Sequence, residues 1–338
     1  MGLNSLKMQV LTFYQIYPSL KKKKKKKKKS NSKCEYIHRW WRDQKFMEQL
    51  SFARDRVVEC YIWALGVYYE PKYSTNRRIF VKIIYFITII DDVYDAYGIL
   101  DELQLFTQAI QRWDIKSVDK LPNYMKGLYE AILEFYREIE QDMCMDNNIT
   151  FAFDCAKEAM KRQCRAYLEE AKWFNEEYVP TIEEYMKFGV ISIANYVLAS
   201  VCFLALGNVA SEEVFQWVQG EPMLLKAAGV IARLMNDITS HKFEQERGHV
   251  VTAVQCYMKQ YEATKGEAIA ELKRQVVEAW KDLIEDYIKL CGKFPNVILH
   301  LGLNLTRAAN FYYKERDGFS FVDGETKHLI TLLLTMPI

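Results

Sequence analysis

The sequence predicts an all-α protein in which about ten helices pack around a centre. Three observations support this prediction. Only seven prolines and fourteen glycines interrupt the 338 residues. The stretches between them repeat apolar residues with the helical period, and the sequence shows no alternating strand pattern. Half of the residues are hydrophobic and 14% are aromatic, which is enough apolar material for one large core.

The periodic stretches place the helices in order along the chain. They cover residues 58–69, 77–97, 128–143, 151–177, 182–206, 221–246, 250–261, 265–290 and 295–313. Loops are marked by turn-forming pairs such as Glu70-Pro71 and Asp317-Gly318. The pattern predicts one helical domain over residues 36–338.

Residues 1–35 do not share this pattern. They contain nine consecutive lysines, at positions 21–29, followed by Ser30-Asn31-Ser32. Adjacent like charges repel and offer no apolar face to bury, so we expect a disordered leader. The formal net charge is +2, and without this run the remainder is mildly acidic. Nucleic-acid binding needs basic residues spread over a folded face, so we exclude it.

Cysteine spacing and hydropathy indicate the cellular compartment of the protein. Eight cysteines are scattered without a Cys-x-x-Cys pair or zinc-ligand spacing, which is typical of a reduced protein. The longest apolar stretch, residues 81–90, contains Lys82 and is too short to span a membrane. The N-terminus lacks the composition of a transit peptide. We expect a cytoplasmic protein without a membrane span.

A cluster of carboxylates closes the apolar run at residues 83–90. Asp91, Asp92 and Asp95 follow it directly. On an α-helix Asp91 and Asp95 share one face, and their charges repel unless a cation lies between them. Carboxylates at this spacing suit Mg²⁺ that is shared with substrate phosphates. A solvated acidic helix end is the alternative.

A second oxygen-rich stripe lies in the stretch 221–246. Asn236, Ser240 and Glu244 are spaced four residues apart and drift only about 80° around a helix. Amide, hydroxyl and carboxylate oxygens form a ligand set for a hard cation. Taken alone, the stripe is more typical of an ordinary polar face.

Together the two motifs are far more specific. Facing oxygen clusters would hold several Mg²⁺ ions and clamp a diphosphate between them. Arg54, Arg56 and Arg233 lie near the motifs in sequence, and guanidinium groups bind phosphate oxygens in a bidentate way. Surface salt bridges are the alternative for each arginine.

At this point the residues resemble a known family, the plant terpene synthases, and most of all the sesquiterpene synthases of the cadinene and germacrene type. The resemblance covers residue 38 to the C-terminus. The matching stretches are Arg39-Trp40-Trp41-Arg42-Asp43, residues 52–60, residues 63–68, the Asp91 motif, Arg112-Trp113-Asp114 and residues 233–250. The resemblance implies a class I terpenoid synthase bundle around a central active-site cavity.

The resemblance also implies residue roles. Asp91 and Asp95 would bind two Mg²⁺ ions, and Asn236, Ser240 and Glu244 would bind a third, with Mn²⁺ as a substitute. The diphosphate binders would be Arg54, Arg56 and Arg233. Trp63 would face carbocations with its indole ring, which stabilises a cation without quenching it. Tyr312 and Asp317 would belong to the mobile segment that closes the site. For Trp63 and Tyr312, core packing is the alternative.

The chain departs from the family pattern in three places. Phe319 stands where many members have Tyr, which removes one proton relay. Ile193 and Asn195 lie in a helix segment that usually carries small or hydroxyl residues, so they are expected to reshape the pocket. Family members also carry a preceding helical domain and a leading helix, and here the lysine-rich leader stands in their place, as expected of a truncated form.

The resulting expectation is a monomeric, Mg²⁺-dependent terpene cyclase that converts farnesyl diphosphate to a sesquiterpene hydrocarbon. Geranyl diphosphate as substrate, or an inactive fragment, are the alternatives. A chain-elongating prenyltransferase is disfavoured because that class presents two aspartate-rich motifs, whereas the second motif here begins with Asn236.

Overall fold

The computed structural model describes residues 37, 39–43, 50, 52–143, 149–247, 251–322 and 324–335. The chain divides into two compact units, one of residues 1–43 with 322–338 and the other of residues 44–321. The predicted leader, residues 1–35, lies outside the described residues, so its boundary at residue 36 stays a prediction.

The 44–321 unit is built from α-helices. The first six are α1 (Val57–Val67), α2 (Ser74–Asp92), α3 (Leu100–Arg112), α4 (Asn123–Met143), α5 (Ile149–Asn175) and α6 (Ile182–Ser192). The next six are α7 (Asn195–Leu204), α8 (Glu212–Gln219), α9 (Met223–Arg247), α10 (Ala253–Tyr261), α11 (Lys265–Leu290) and α12 (Asn296–Tyr312). Within the described ranges there is no β-strand, only one bridge between Cys291 and Phe294. The predicted all-α class is confirmed.

The 322–338 part of the other unit contains one named helix, α13 (Gly324–Thr335). The sequence analysis did not predict α13, α3 or the short α8. The strongly periodic helix α11 has the predicted bounds, and a capping box between Thr264 and Glu267 fixes its start.

The centre of the larger unit is α2. Its residues from Phe80 to Ile90 are all buried, including the polar Lys82 and Thr88. A helix that is apolar on every side must lie inside a bundle. Helices α1, α7 and α4 contact it. This burial holds the acidic C-terminal end of α2 in a fixed place.

Two predicted helices are each interrupted. The stretch 77–97 is α-helical only to Asp92 and continues as a π-helical turn, Val93–Tyr97. The stretch 182–206 breaks between α6 and α7, where Ala194 has a left-handed φ of 67°. The break is held from outside, because Gln163 Nε2 donates to the Ser192 carbonyl at 2.7 Å.

The broken pair α6–α7 also has unusual hydropathy. Residues Ile182–Leu204 are long and apolar enough to cross a membrane, with a mean hydropathy of 1.7. However, 78% of the window is buried inside the protein. The segment therefore lies in the core, where it packs against α5 and α9.

Candidate active site

A cavity of about 370 Å³ lies within the 44–321 unit. Helices α1, α2, α5, α9, the α6–α7 break and the segment 313–321 contribute to its wall. The predicted site residues that line it are Arg54, Arg56, Trp63, Asp91, Asp95, Arg233, Asn236, Ser240 and Asp317. Two other predicted site residues are not found in the cavity wall. Tyr312 is not among the lining residues, and the side chain of Glu244 lies outside the described residues. The structure thus brings both oxygen motifs and all three arginines to one cavity.

The first motif sits where α2 changes to the π-helical turn. Asp91 lies at the end of α2 and Asp95 within the turn, so the two carboxylates do not belong to one continuous α-helix as predicted. Gly98 N donates to the Val93 carbonyl at 2.8 Å and closes this turn. Both carboxylates still line the cavity, because α2 ends at its wall.

Arg54 bridges the acids of this motif. Its Nη2 donates to Asp91 Oδ2 at 2.9 Å, and its Nε donates to Asp92 Oδ1 at 2.5 Å. Its backbone N–H also donates to Asp92 Oδ2 at 2.8 Å. Asp92 is buried and accepts two of these hydrogen bonds, so it holds Arg54 in one orientation. Burial alone would lower the pKa of Arg54, but the charges of Asp92 and Asp91 outweigh it and raise the pKa.

The segment 313–321 closes around the same arginines. Asp317 Oδ1 accepts from the backbone N–H of Phe319 at 3.1 Å and of Ser320 at 2.9 Å. This side-chain turn presents Ser320, whose Oγ accepts from Arg54 at 2.9 Å and whose carbonyl accepts from Arg56. Asp317 thus orders the segment, and the segment joins the two arginines.

Arg233 belongs to a buried network behind the second motif. Its Nε donates to the Gly189 carbonyl at 3.0 Å and its Nη2 to Ser192 Oγ at 2.7 Å. Asp237 Oδ1 lies 3.4 Å from Nη1, and Asp237 Oδ2 accepts from the Tyr185 hydroxyl at 2.8 Å. A Cβ added at Gly189 would lie 3.3 Å from Arg233 Cγ, so a larger residue there would require a small displacement of that side chain. The network ties α9 to the end of α6.

Glu170 completes this network and was not predicted. It is 4% exposed and lines the cavity. Its Oε1 accepts from Ser192 Oγ at 2.6 Å and lies 4.0 Å from Arg233 Nη2. Burial raises the pKa of Glu170 to about 7, and the charge of Arg233 and the Ser192 hydrogen bond oppose the rise.

Glu170 should make the stability of the protein depend on pH. The ordinary pKa of this carboxyl is 4.5 and its folded pKa is about 7, so the folded protein binds more protons between these values. Stability therefore falls as pH rises from about 4.5 to about 7. The loss is on the order of 3 kcal/mol, since one pKa unit corresponds to about 1.4 kcal/mol.

Urea unfolding of the wild type and of Glu170→Gln, repeated from pH 5 to pH 8, measures this contribution. The Gln side chain keeps the acceptor for Ser192 but cannot ionise. The free energy of unfolding of the variant should therefore increase relative to that of the wild type as pH rises. Parallel pH profiles for the two proteins would show that Glu170 is ionised throughout.

The second motif presents its oxygens to the cavity from α9. Asn236 and Ser240 both line it, as their shared helical face predicts. Ser240 Oγ is buried and has no hydrogen-bonding partner among the described residues. A buried hydroxyl without a partner is costly, so the position fits a ligand to a cation.

The donor set fits Mg²⁺, which prefers oxygen ligands and keeps positions for substrate phosphates. Within the described ranges, no three His, Cys, Asp or Glu side chains gather closely enough to hold a metal ion by themselves. An ion at this cavity would therefore need ligands beyond the protein carboxylates. The Ser240 hydroxyl, the Asn236 amide and the oxygens of a substrate are such ligands.

Aromatic rings form another part of the wall. Trp63 and Phe319 line the cavity, with ring centroids 5.3 Å apart in an edge-to-face arrangement. Tyr312 stacks on Trp63 with a centroid distance of 4.9 Å, and its hydroxyl donates to the Glu59 carbonyl at 3.0 Å. This corrects the position expected for Tyr312: it supports Trp63 from within the core, because α12 turns its neighbour Tyr313 to the cavity instead.

The sequence analysis missed Glu170, Ser192, Tyr313 and Ser320 as cavity residues. A signal for Glu170 was present, because it shares a helical face with Ala166, Tyr167 and Trp173, all buried. A charged residue on an apolar helical face needs a partner. No comparable sequence signal marks Ser192 or Ser320.

Comparison with known proteins agrees with this geometry. The family described as "Terpene synthase family, metal binding domain" matches residues 42–282. A probable sesquiterpene synthase from Santalum murrayanum is 46% identical over 302 residues, covering 89% of this chain and 53% of the relative. The (−)-germacrene D synthase of Vitis vinifera is 45% identical over 302 residues, covering 89% and 54%. The chain spans about half the length of the curated relatives it matches.

Solved structures give the same result. Limonene synthase with 2-fluorolinalyl diphosphate superposes with a TM-score of 0.85 at 29% identity, covering 91% of this chain and 56% of that chain. Isoprene synthase from Populus x canescens, in complex with three Mg²⁺ ions and dimethylallyl-S-thiolodiphosphate, gives 0.81 at 30%, covering 91% and 58%. The fold is that of the class I terpenoid synthases, and the chain belongs to the terpene synthase family.

Proposed function

We propose that this chain is a Mg²⁺-dependent terpene cyclase that ionises farnesyl diphosphate and cyclises the carbocation to a sesquiterpene hydrocarbon, releasing diphosphate. The observation that carries the proposal is the composition of one cavity wall. Asp91, Asp95 and the unpartnered Ser240 oxygen line the same cavity as the Trp63 ring. Metal-binding oxygens would stabilise a leaving diphosphate, and the indole ring would stabilise a carbocation.

The basic residues would receive the diphosphate. Arg54 and Arg56 are already joined through Ser320, and Arg56 Nε is buried without a hydrogen-bonding partner among the described residues. A phosphate oxygen is a suitable acceptor for that N–H. Arg233 would donate from the opposite motif. The oxygens of both motifs would hold three Mg²⁺ ions, or Mn²⁺ in their place, which supply charge neutralisation for the departing group.

The aromatic residues would act after ionisation. Trp63 is 9% exposed and held between Tyr312 and Phe319, so its ring cannot turn away from the cavity. An indole face stabilises a cation in a site from which bulk water is excluded. Phe319 has no hydroxyl, so it contributes packing and no proton transfer.

Farnesyl diphosphate is preferred over geranyl diphosphate because relatives at 46% identity are named as sesquiterpene synthases. We also propose that the protein acts as a monomer. The described cysteines are free thiols, five of them buried, which supports a cytoplasmic location.

Replacing Trp63 with Leu should alter turnover and product ratio more than substrate binding. The ring acts on cations that exist only after ionisation. Its loss should therefore lower kcat and change the proportions of the products. We expect a decrease in kcat of about tenfold to a hundredfold, since a desolvated cation–π contact contributes about 2 kcal/mol. Gas chromatography of timed reactions gives both quantities. A rise in KM alone, with the same product profile, would assign Trp63 to packing.

A non-reactive substrate analogue tests the binding half of the proposal and separates it from the inactive-fragment alternative. Farnesyl S-thiolodiphosphate should raise the melting temperature only when Mg²⁺ is present, because protein and analogue share the ion. Geranyl S-thiolodiphosphate is the matched comparison and should stabilise less. Equal stabilisation with and without Mg²⁺ would remove the metal from the proposed site. Stabilisation without any turnover of the diphosphates would favour the inactive fragment.

A further inference from the structure

One polar side chain in the cavity wall has no assigned partner or role. Asn195 is the first residue of α7 and directly follows the left-handed Ala194. It is 5% exposed and lines the cavity. Its Nδ2 is buried and has no hydrogen-bonding partner among the described residues. The break between α6 and α7 therefore presents an amide donor to the cavity.

The neighbours of Asn195 along the chain in the wall leave its amide without a partner. Ile193, Ala194 and Leu198 carry no polar side-chain atoms, and the Ser192 hydroxyl already bonds to Glu170 and Arg233. An unpaired amide N–H in such surroundings is costly unless an oxygen accepts from it. Trp63 Nε1 is a second buried N–H in the same wall without a partner in the described part of the chain. Two such donors favour an occupant that carries an oxygen atom.

The Asn195 amide favours one class of oxygen-bearing ligand over another. Its amide is uncharged and offers donors and an acceptor together, which suits a neutral hydroxyl or a water molecule. A diphosphate would instead be bound by cationic groups, and Arg54, Arg56 and Arg233 supply these elsewhere in the wall. A water needs polar partners to remain in an apolar cavity, and Asn195 provides them.

We propose that Asn195 binds a water molecule inside the cavity and that this water captures part of the carbocation, so that a terpene alcohol is released beside the hydrocarbon. The inference rests on the proposed function. The water oxygen forms a C–O bond with the cationic carbon using one lone pair. The oxonium ion then loses a proton to the diphosphate released in the ionisation step. The overall change is farnesyl diphosphate plus water to a fifteen-carbon alcohol plus diphosphate.

The oxygen site can be tested without turnover. Calorimetry would compare farnesol with farnesene, a hydrocarbon of the same length, in the absence of Mg²⁺. The wild type should prefer the alcohol by about threefold to tenfold more than Asn195→Ala and Asn195→Leu do, since that is the usual net effect of one hydrogen bond. One variant shrinks the side chain and the other enlarges it, so a shared loss reports the amide and not the size. Val201→Ala, a buried change on the same helix that does not line the cavity, should keep the preference.

Inorganic diphosphate with Mg²⁺ is the comparison ligand in a separate titration of the same proteins. Its affinity should be the same in the wild type and in both Asn195 variants. If the variants lose diphosphate binding and keep the alcohol preference, Asn195 belongs to the diphosphate site and the inference is wrong.

Turnover in H₂¹⁸O tests the capture step. Farnesyl diphosphate and Mg²⁺ should yield an ¹⁸O-labelled alcohol of a single hand, absent from a boiled control, whereas spontaneous solvolysis gives both hands. The labelled share of the product should fall at least about threefold in both Asn195 variants and not in Val201→Ala. Hydrocarbon without any labelled alcohol from the wild type would overturn the capture step. A retained alcohol preference with no turnover at all would support the oxygen site and count against the proposed function.

Discussion

Asp91→Ala and Asp95→Ala are each expected to reduce Mg²⁺-dependent hydrocarbon formation at least about thousandfold, because charge stabilisation by a bound metal contributes several kcal/mol to the barrier. Each carboxylate lines the cavity at the end of α2. In Asp91→Ala, Arg54 loses one contact and keeps both contacts with Asp92. The measurement is product formation by gas chromatography over a range of Mg²⁺ concentrations.

The fold should survive these changes. The side chains of Arg54 and Asp91 are both 32% exposed, and pairs of this exposure contribute at most about 1 kcal/mol to stability. Asp101→Ala is the matched control, because Asp101 is an exposed carboxylate in the first turn of α3 and does not line the cavity. Near wild-type turnover in Asp91→Ala at low Mg²⁺ would refute the metal role.

Arg233→Ala is expected to destabilise the protein by about 3–5 kcal/mol, the usual effect of breaking a buried ion pair from one side. The side chain of Arg233 is 14% exposed, and those of Asp237 and Glu170 are 2% and 5% exposed. Removing the guanidinium leaves these acids buried without a positive partner. Burial already raises the pKa of Asp237 despite Arg233, so the variant should unfold at a lower urea concentration at pH 8.

A surface arginine provides the contrast. Arg274 pairs with Glu271 at 2.7 Å on α11, and its side chain is 61% exposed. Arg274→Ala should leave the urea midpoint close to that of the wild type, because exposed pairs contribute little. Equal losses in the two variants would mean that the Arg233 network is solvated and does not hold α9 against the α6–α7 break.

The helical period in the sequence was sufficient for the fold class and for helices such as α11, which pack one apolar face on the core. It was not sufficient for the interruptions. Neither the π-helical turn Val93–Tyr97 nor the break at Ala194 contains a Pro or Gly. Partners distant in sequence, such as Gln163 at the Ser192 carbonyl, hold the break, and periodicity carries no information about them.

The site shows the same division. Asp91, Asp95, Asn236 and Ser240 all line one cavity, as their motifs predicted. Asn236 and Ser240 do so because residues four apart in an α-helix share a face, whereas Asp95 reaches the cavity from the π-helical turn after α2. The placement of Tyr312 required more, since neighbouring positions on α12 face different ways and only the fold decides which ring meets the cavity. The role expected of Glu244 stays a prediction, because its side chain lies outside the described residues.

Incubation of the purified protein with farnesyl diphosphate or geranyl diphosphate, with and without Mg²⁺, tests the central claim most directly. Gas chromatography with mass detection of an organic extract identifies the products. We expect cyclic fifteen-carbon products from farnesyl diphosphate, formed only with Mg²⁺ and faster than ten-carbon products from geranyl diphosphate. The absence of any Mg²⁺-dependent terpene from either substrate would contradict the proposed cyclase.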